Sequence, residues 1–234
     1  MSDLAAALRR MLPDPPTTNY GVRRLKTDIR ALLAPSPLIF DIGSKEARGA
    51  YLPGGPPPGA RIVCVDIDAR PGVDLVADAH DLHMVETGTV DLVMLLNVLE
   101  HVRDPQRVLA ECERILKPGG IVWVDVPFMF PFHADPDDFW RFSDRGLEIA
   151  CGRFEKIECT FLRGPASCMA ELIVQFVAVL FSFNRRRLHS AAEYAARWLF
   201  SWIKYLDWFI ANYESARVIH ATTTFIGRKR AAAA

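Results

Sequence analysis

The chain has 234 residues, of which 50% are apolar and 24% are charged, a composition typical of one globular domain with a full-sized core. Its 28 basic residues balance its 28 acidic ones, so the net charge gives no reason to expect a nucleic-acid partner. The N-terminal stretch lacks the long apolar core of a signal peptide, and we expect a cytoplasmic protein. Five scattered cysteines without a C-x-x-C pair favour reduced thiols, and we predict no zinc site or other metal.

The predicted elements alternate between helices and apolar strands. Residues 1–35 are predicted to form N-terminal helices, because apolar residues recur at helical spacing over 20–34 and Pro35 ends the pattern. Strands are predicted at 37–43, 61–68, 73–79, 90–96 and 120–127, and an amphipathic helix at 104–120. Continuous apolar strands alternating with helices predict an α/β protein whose parallel sheet is covered on both faces.

Polar residues follow these strands where each one ends. In "NVLEH", Asn97, Glu100 and His101 come directly after the apolar run "VDLVMLL" at 90–96. Ligands of open parallel sheets bind beyond the carboxyl ends of the strands. The sequence therefore predicts a ligand site at this edge of the sheet.

Together these segments resemble the class I S-adenosylmethionine-dependent methyltransferases, especially the group with an "LEH…LKPGG" signature. The resemblance covers about residues 36–150 and is most specific over 90–127. The stretches "LIFDIGS", "VCVDID" and "ADAHDLH" resemble the first three cofactor motifs of the family. The resemblance implies a Rossmann-like, seven-stranded, mostly parallel sheet with helices on both faces, and S-adenosyl-L-methionine as cofactor.

The resemblance also implies a set of cofactor-binding residues: Asp41, Gly43, Lys45, Asp66, Ile67, Asp78, Ala79 and Asn97. Gly43 lets the backbone approach the ligand where a Cβ would intrude. The carboxylate of Asp66 suits the two ribose hydroxyls, Asp78 with the Ala79 amide suits the adenine edge, and Asn97 would lie beside the methionine portion. The alternative for each Asp is a turn or helix cap, and Asp81 competes with Asp78 for its role.

The first motif departs from the family pattern. The usual alternation of three glycines is replaced by Gly43-Ser44-Lys45-Glu46-Ala47. Either the loop takes a wider path with Lys45 near the cofactor carboxylate, or the site is degraded and the protein is a non-catalytic scaffold. A nicotinamide-dependent dehydrogenase is disfavoured, because no G-x-G-x-x-G follows the first strand.

The segment 127–150, "PFMFPFHADPDDFWRFSDRGLEIA", is expected to face the transferred methyl group. The expected acceptor-pocket residues are Phe132, Asp137, Asp138, Phe139, Trp140 and Arg141. His133 is the first choice for a general base, because the pKa of free histidine lies near neutrality. His101 is the second catalytic candidate, and the alternative for it is a structural role without substrate contact. The alternative is that Asp138 and Arg141 only tie the loop together as an i, i+3 pair. Ser143 is predicted to cap a helix that follows.

Residues 165–213 form a helical insert between the cofactor-binding core, 36–164, and a last strand at 214–230, all within one predicted domain. A first helix carries a polar stripe, Glu171, Gln175, Ala178 and Ser182, and a second carries Arg197, Ser201, Lys204 and Asp207. The opposite face of the second helix carries Trp198, Trp202, Tyr205 and Phe209, and the cationic turn "NRRRLH" links the two helices. Neither helix is suited to span a bilayer. The pair either packs on the domain as a lid, or meets membrane lipid, a lipid-linked acceptor or a second subunit.

The sequence therefore predicts methyl transfer from S-adenosylmethionine to a small-molecule, glycan or lipid-linked acceptor. We expect a cytoplasmic enzyme, with peripheral contact at the inner membrane surface or homodimerisation through 165–213 as the alternatives for the insert.

Overall fold

The structure is a computed structural model, and it describes residues 13–18, 25–43, 49, 51–134 and 136–231. The chain divides into two compact units. Residues 22–162 and 220–234 form one, which we call the sheet unit. Residues 1–21 and 163–219 form the other, which we call the helical unit. The single-domain boundaries expected from the sequence stay a prediction.

The sheet unit contains a seven-stranded sheet. Its strands are β1 (Leu38–Ile42), β2 (Arg61–Asp66), β3 (Leu75–Val76), β4 (Val90–Leu96), β5 (Leu116–Pro127), β6 (Phe154–Thr160) and β7 (Thr222–Lys229). Their order is β3-β2-β1-β4-β5-β7-β6, and β7 runs antiparallel to both of its neighbours. The predicted Rossmann-like, mostly parallel sheet, with a helical insert before its last strand, is confirmed.

Alternation along the central strands produces two apolar layers. Val93 and Leu95 of β4 pack with the helices α1 (Pro105–Ile115) and α2 (Asp144–Ala150). Leu92 and Met94 point to the opposite face, where Ile29 and Leu52 cover them. Because successive side chains of a strand point to opposite faces, a strand buried on both sides must be apolar throughout. This is why β4 appears in the sequence as an unbroken apolar run.

Several predicted boundaries are corrected. The helix predicted over 20–34 is only a 3₁₀ helix, Ile29–Leu32, in its described part, and residues 20–24 lie outside the described residues. The backbone amides of Lys26 and Thr27 instead donate to the Glu158 carboxylate at 2.8–3.1 Å, which keeps this segment out of a helix. The predicted strand 73–79 shrinks to Leu75–Val76.

Two further boundaries move. Helix α1 ends at Ile115, and the chain enters β5 at Leu116 through a register shift in its pairing with β4. The predicted last strand begins only at Thr222, because Glu214–Val218 forms a 3₁₀ helix. The Ser143 cap is confirmed, since its Oγ accepts a hydrogen bond from the Gly146 amide at 3.2 Å.

The helical unit contains helices α3 (Pro165–Leu180) and α4 (Arg186–Phe200), a 3₁₀ helix (Ser201–Leu206) and a short helix α5 (Asp207–Ile210). The continuous second helix expected through Phe209 is wrong, because the α-helical hydrogen bonding breaks after Phe200. The cationic residues are also partly inside a helix, since Arg186 begins α4. Over the described part of the chain, no helix is long and apolar enough to cross a membrane.

The polar stripes of both predicted helices point inward. Glu171 is only 5% exposed, and it accepts hydrogen bonds from Thr18 at 2.5 Å, Gln175 at 3.1 Å and Arg197 at 3.2–3.3 Å. Arg197 also contacts Glu193 at 3.0 Å. A buried charge is tolerated when it is paired and hydrogen-bonded, and this network meets that condition for Glu171.

The same polar stripes hold the described N-terminal segment. The backbone carbonyls of Pro13, Pro16 and Thr17 accept hydrogen bonds from Tyr194, Ser201 and Lys204 at 2.9, 3.0 and 2.5 Å. Prolines have no amide hydrogen to donate, so a proline-rich segment needs donors from outside to satisfy its carbonyls. The inward-facing polar residues supply these donors.

The aromatic side chains of the helical unit face outward. Phe183 is 74% exposed and Trp208 72%, and seven more large aromatic residues of this unit are at least half exposed: Phe176, Phe181, Trp198, Trp202, Tyr205, Phe209 and Tyr213. Among the described residues of this unit, the buried apolar side chains are small: Ala166, Cys168, Ala170, Val174, Ala178, Ala196, Ala211 and Ala216. The helices therefore approach one another through small and polar residues and present large apolar ones on the outside.

Candidate active site

A cavity of about 390 Å³ opens at the carboxyl ends of β1, β2 and β4. Six of the eight residues predicted to bind the cofactor line it: Gly43, Asp66, Ile67, Asp78, Ala79 and Asn97. Its volume is within the range of ordinary small-molecule sites. Asp41 is buried below the cavity, and Lys45 lies outside the described residues.

Asp41 and Gly43 shape the loop that follows β1. The Asp41 carboxylate accepts a hydrogen bond from the Gly49 amide at 2.9 Å, which ties the far side of the loop to the strand. Gly43 adopts φ +70°, and its amide donates to the Val65 carbonyl at 2.7 Å. A Cβ at Gly43 would lie 2.6 Å from the Val98 side chain. Glycine is therefore needed both for the backbone conformation and for the packing of Val98.

Two polar residues mark the ends of β2 and β4. The Asp66 carboxylate is 9% exposed and accepts a hydrogen bond from the Asp68 amide at 3.0 Å. It therefore caps a turn and lines the cavity at once, so the two alternatives for this residue occur together. Asn97 adopts φ +56°, and its amide donates to the Asp125 carbonyl at 2.7 Å. A non-glycine residue in the left-handed region is strained, and such strain is common at functional sites.

Asp78 is held in its ionised form. Its carboxylate accepts hydrogen bonds from the backbone amide of His80 at 2.9 Å and contacts the His80 ring at 2.6 Å. Partial burial disfavours the charge, but the hydrogen bonds from His80 outweigh that effect and lower the pKa of Asp78. An ionised carboxylate at the cavity wall can accept a hydrogen bond from an exocyclic amine or a hydroxyl.

Several residues of the cavity wall were not predicted from the sequence. Among them are His80, Val102 and Arg103, and the Arg103 guanidinium lies 5.9 Å from the centre of the Phe139 ring. His80 lies within the motif "ADAHDLH" and Arg103 lies two residues after "NVLEH", but nothing in their spacing distinguishes them from surface residues. Their position depends on loops that fold over the strand ends.

The segment 127–150, which is expected to face the transferred methyl group, reaches the cavity through Asp137 and Phe139. Asp138 and Arg141 form a two-pronged ion pair, with Nη2 and Oδ2 2.7 Å apart, and the Arg141 guanidinium lowers the pKa of Asp138 to about 2. Arg141 also donates to the carbonyls of Phe130 and Pro131 at 3.1 and 3.0 Å. These contacts match the alternative to an acceptor-pocket role, in which Asp138 and Arg141 only hold the loop together.

Two other residues predicted for the acceptor pocket, Phe132 and Trp140, lie outside the cavity wall. Phe132 is 75% exposed, and the Trp140 indole donates to the Val102 carbonyl at 2.9 Å. Neither side chain is among those that line the cavity. Their predicted roles depended on the aromatic composition of the loop, which does not determine the direction of each side chain.

The two predicted catalytic histidines meet at a buried carboxylate. Nε2 of His101 and Nε2 of His133 each lie 3.7 Å from Oε1 of Glu100, which has no exposed surface. The interaction of His133 with Glu100 is the main reason that the pKa of His133 is raised, although partial burial opposes the shift. His101 also lines the cavity, so the cluster adjoins the wall of the predicted cofactor site.

Comparison with known proteins identifies the core. Residues 41–124 match the family model of a methyltransferase domain. The chain is 29% identical over 104 residues to human thiol S-methyltransferase TMT1B, and 42% identical over 60 residues to a ubiquinone biosynthesis O-methyltransferase of Caulobacter vibrioides. These matches cover 37% and 26% of this chain, and 40% and 22% of the respective relatives.

Solved structures agree on the fold. A SAM-dependent methyltransferase from Methanosarcina mazei has a TM-score of 0.51 with 14% identity, and the match covers 91% of this chain and all of the other. The [4+2]-cyclase SpnF has a TM-score of 0.54 with 16% identity, and the match covers 98% and 94% of the two chains. The resemblance to class I S-adenosylmethionine-dependent methyltransferases is thus confirmed for the fold and for the segment 41–124.

Proposed function

We propose that this chain, which carries a class I methyltransferase core, transfers the methyl group of S-adenosylmethionine to an acceptor bound at the carboxyl edge of its sheet. The cavity at the carboxyl edge of the sheet is the observation that carries this proposal, because it gathers Gly43, Asp66, Asp78 and Asn97 from the ends of four successive strands, β1 to β4. Asp66 would bind the ribose hydroxyls, Asp78 the adenine amine, and Asn97 the methionine portion. The match to the methyltransferase domain supports the same assignment.

The protein itself needs to form no covalent bond in this reaction. A lone pair of the acceptor forms a bond to the methyl carbon while the carbon–sulfur bond breaks, and its electron pair moves to the sulfonium sulfur, giving S-adenosylhomocysteine. Alignment of the two reactants and exclusion of water supply most of the acceleration in such a displacement. Phe139 and Val102 at the cavity wall provide apolar cover for this step.

Binding of S-adenosylhomocysteine, measured by calorimetry on the full chain, tests the proposal. Asp66→Ala should weaken binding by about 1.5–3 kcal/mol, because a charged hydrogen-bond acceptor is lost. Glu155→Ala, which removes an exposed carboxylate from β6, is the control and should bind like the wild type.

A folded wild-type protein that does not bind S-adenosylhomocysteine would favour the non-catalytic scaffold instead. The fold alone does not require methyl transfer, because SpnF, which shares it, is a [4+2]-cyclase. Binding of NAD in place of S-adenosylhomocysteine would favour the dehydrogenase interpretation.

We further propose that the helical unit contacts an anionic lipid surface and that the acceptor is lipid-linked. Large exposed aromatic side chains over a core of small residues are the arrangement seen where helices face lipid. Tryptophan rings such as Trp198 and Trp202 favour the membrane interface, and the exposed residues Arg185, Arg186 and Arg187 supply positive charge at the N-terminus of the helix that carries Trp198. A second copy of the chain is the competing occupant of this surface.

A further inference from the structure

Glu100 is a buried carboxylate to which none of the described residues donates a hydrogen bond. It has no exposed surface, and neither of its oxygens is hydrogen-bonded within the part of the chain that the structure describes. A buried ionised carboxylate is costly unless another charge or hydrogen bonds compensate it. Nearly all buried polar atoms in folded proteins have a partner, so this pair of oxygens calls for an explanation.

The two histidines that face Glu100 are oriented so that Nε2, and not Nδ1, is the ring nitrogen free to bind a ligand. Nδ1 of His101 lies 2.5 Å from the Asp137 carbonyl, and Nδ1 of His133 lies 3.1 Å from the Pro131 carbonyl. A carbonyl oxygen can only accept a hydrogen bond, so each Nδ1 carries a hydrogen. In the neutral ring the lone pair is then on Nε2, the atom that lies nearest to Glu100 in both residues.

This arrangement is the one that metal-binding histidines show. Such a histidine usually donates its other ring N–H to a backbone carbonyl or carboxylate, which fixes the tautomer and the direction of the ring. The rings of His101 and His133 are 5.1 Å apart and nearly perpendicular, and His133 is further held by its backbone amide, which donates to Asp138 at 2.8 Å. Both rings are therefore positioned by contacts that leave Nε2 available.

The donor spacing suits one metal ion. One donor atom from each of Glu100, His101 and His133 lies within 4.8 Å of the other two, and the carboxylate oxygen lies 3.7 Å from each Nε2. Two ligands of a tetrahedral zinc ion, each bonded at about 2.0–2.1 Å, lie about 3.4 Å apart. To reach that spacing, the two carboxylate contacts would close by a few tenths of an ångström, and the two imidazole donors, which lie within 4.8 Å of each other, by at most about 1.4 Å.

We propose that Glu100, His101 and His133 form a binding site for a divalent transition-metal ion. Two imidazole nitrogens and one carboxylate oxygen favour zinc, iron or cobalt over magnesium and calcium, which prefer ligand sets made of oxygen. No local motif predicts this site, because the cluster needs His133 from a loop that is distant in the sequence from Glu100 and His101. The site does not depend on the proposed methyl transfer, since the ion would bind without cofactor or acceptor.

A bound ion changes the role of the histidines. A lone pair that is bonded to a metal cannot accept a proton, so His101 and His133 would serve as ligands and not as general bases. Because His101 also lines the cavity, the ion would lie at its wall, with coordination positions that the protein leaves open. Catalytic metal sites typically keep such positions for a water molecule or a substrate.

Titration of the chelator-stripped full chain with Co²⁺ and with Zn²⁺, without cofactor, tests the site. Co²⁺ should produce visible absorption bands that saturate at one equivalent, and Zn²⁺ should displace it. His133→Asn and Glu100→Gln should each weaken binding of both ions by at least about tenfold, since loss even of an outer-shell partner costs 10–100-fold. Zn²⁺ should also raise the melting temperature of the wild type but not that of His133→Asn.

His83→Asn is the matched control, because His83 is an exposed histidine that pairs with Asp81 at 3.1 Å and lies outside the cluster. It should bind both ions as the wild type does. The proposal fails if the wild type gives no Co²⁺ bands, which would leave a proton-held ion pair between Glu100 and His133. It also fails if His133→Asn, which removes a partly exposed side chain and should fold, binds the ions with unchanged affinity.

Discussion

The two units of this protein arrange their side chains in opposite ways. In the sheet unit, β4 buries Val93 and Leu95 against helices, as a strand in the interior of a globular protein does. In the helical unit, Glu171 and Asp207 are buried while Trp202 and Trp208 are exposed. Hydrophobic burial therefore accounts for the sheet unit, whereas polar contacts and small side chains hold the helical unit together. The comparison teaches that amphipathic spacing indicates two faces of a helix but not which face is buried.

The largest contrast is expected from the same substitution made in both units. Leu95→Ala in β4 should lower the free energy of unfolding by about 2–5 kcal/mol, because it leaves a cavity in a closely packed layer. Leu199→Ala in α4, at a side chain that is 63% exposed, should change it by less than about 0.5 kcal/mol. Chemical denaturation followed by circular dichroism measures both. Equal costs at the two positions would contradict the arrangement described for the helical unit.

The second contrast concerns what the outward face contacts. Each arginine near an anionic lipid surface contributes about 1 kcal/mol, so replacing Arg185, Arg186 and Arg187 together by Glu should weaken vesicle binding by at least about 100-fold. Sedimentation with vesicles that contain anionic phospholipid measures this, and added salt should weaken wild-type binding. Replacement of the same three residues by Lys is the control, since it keeps the charge.

A wild-type chain that remains in the supernatant at low salt contradicts the lipid proposal. If analytical ultracentrifugation then shows a dimer that Trp202→Asp dissociates, the exposed aromatic face is a subunit interface. Cofactor affinity should be unchanged in the arginine variants in either case, because these residues belong to the helical unit and the cavity to the sheet unit.

The smallest expected effect tests most directly the burial of polar side chains in the helical unit. The Asp207 carboxylate accepts hydrogen bonds from the backbone amides of Ala166 and Ser167 at 2.8 and 2.9 Å, and so caps the N-terminus of α3. A Cβ at Gly164 would lie 2.5 Å from this carboxylate, so the glycine makes room for the cap. Asp207→Ala should lower the free energy of unfolding by about 1–3 kcal/mol, because two amides at a helix N-terminus lose their acceptor.

The neighbouring residue provides the control for this prediction. Trp208→Ala removes a much larger side chain, but one that is 72% exposed, and it should cost less than about 0.5 kcal/mol. Thermal unfolding monitored by calorimetry compares the two variants. A larger loss for Trp208→Ala than for Asp207→Ala would show that the aromatic face is buried in solution.

Much of the sheet unit could be predicted from sequence because its signals are local. The run "VDLVMLL" predicts β4 with the bounds that the structure shows, since a strand buried on both faces must be apolar at every position. The polar residues at the strand ends likewise predict a ligand site at the carboxyl edge, and six of the eight residues that the family resemblance implies line one cavity there. The segment over 25–34 could not be predicted in this way, because the Glu158 carboxylate that binds its amides comes from the distant strand β6.

By itself, then, the sequence determined the sheet, the order of its polar strand ends and the existence of two amphipathic faces, because periodicity and strand position depend only on neighbouring residues. Only the tertiary structure decided that the polar faces point inward. They do so because Ser201 and Lys204 donate hydrogen bonds to backbone carbonyls of the proline-rich N-terminal segment, which is distant in the sequence. The tertiary structure also brought His133 to Glu100 and His101. The loop between β5 and α2 can place its side chains in many directions until the ion pair of Arg141 and Asp138 fixes its conformation. Contacts between residues distant in the chain are set by packing, and no local pattern records them.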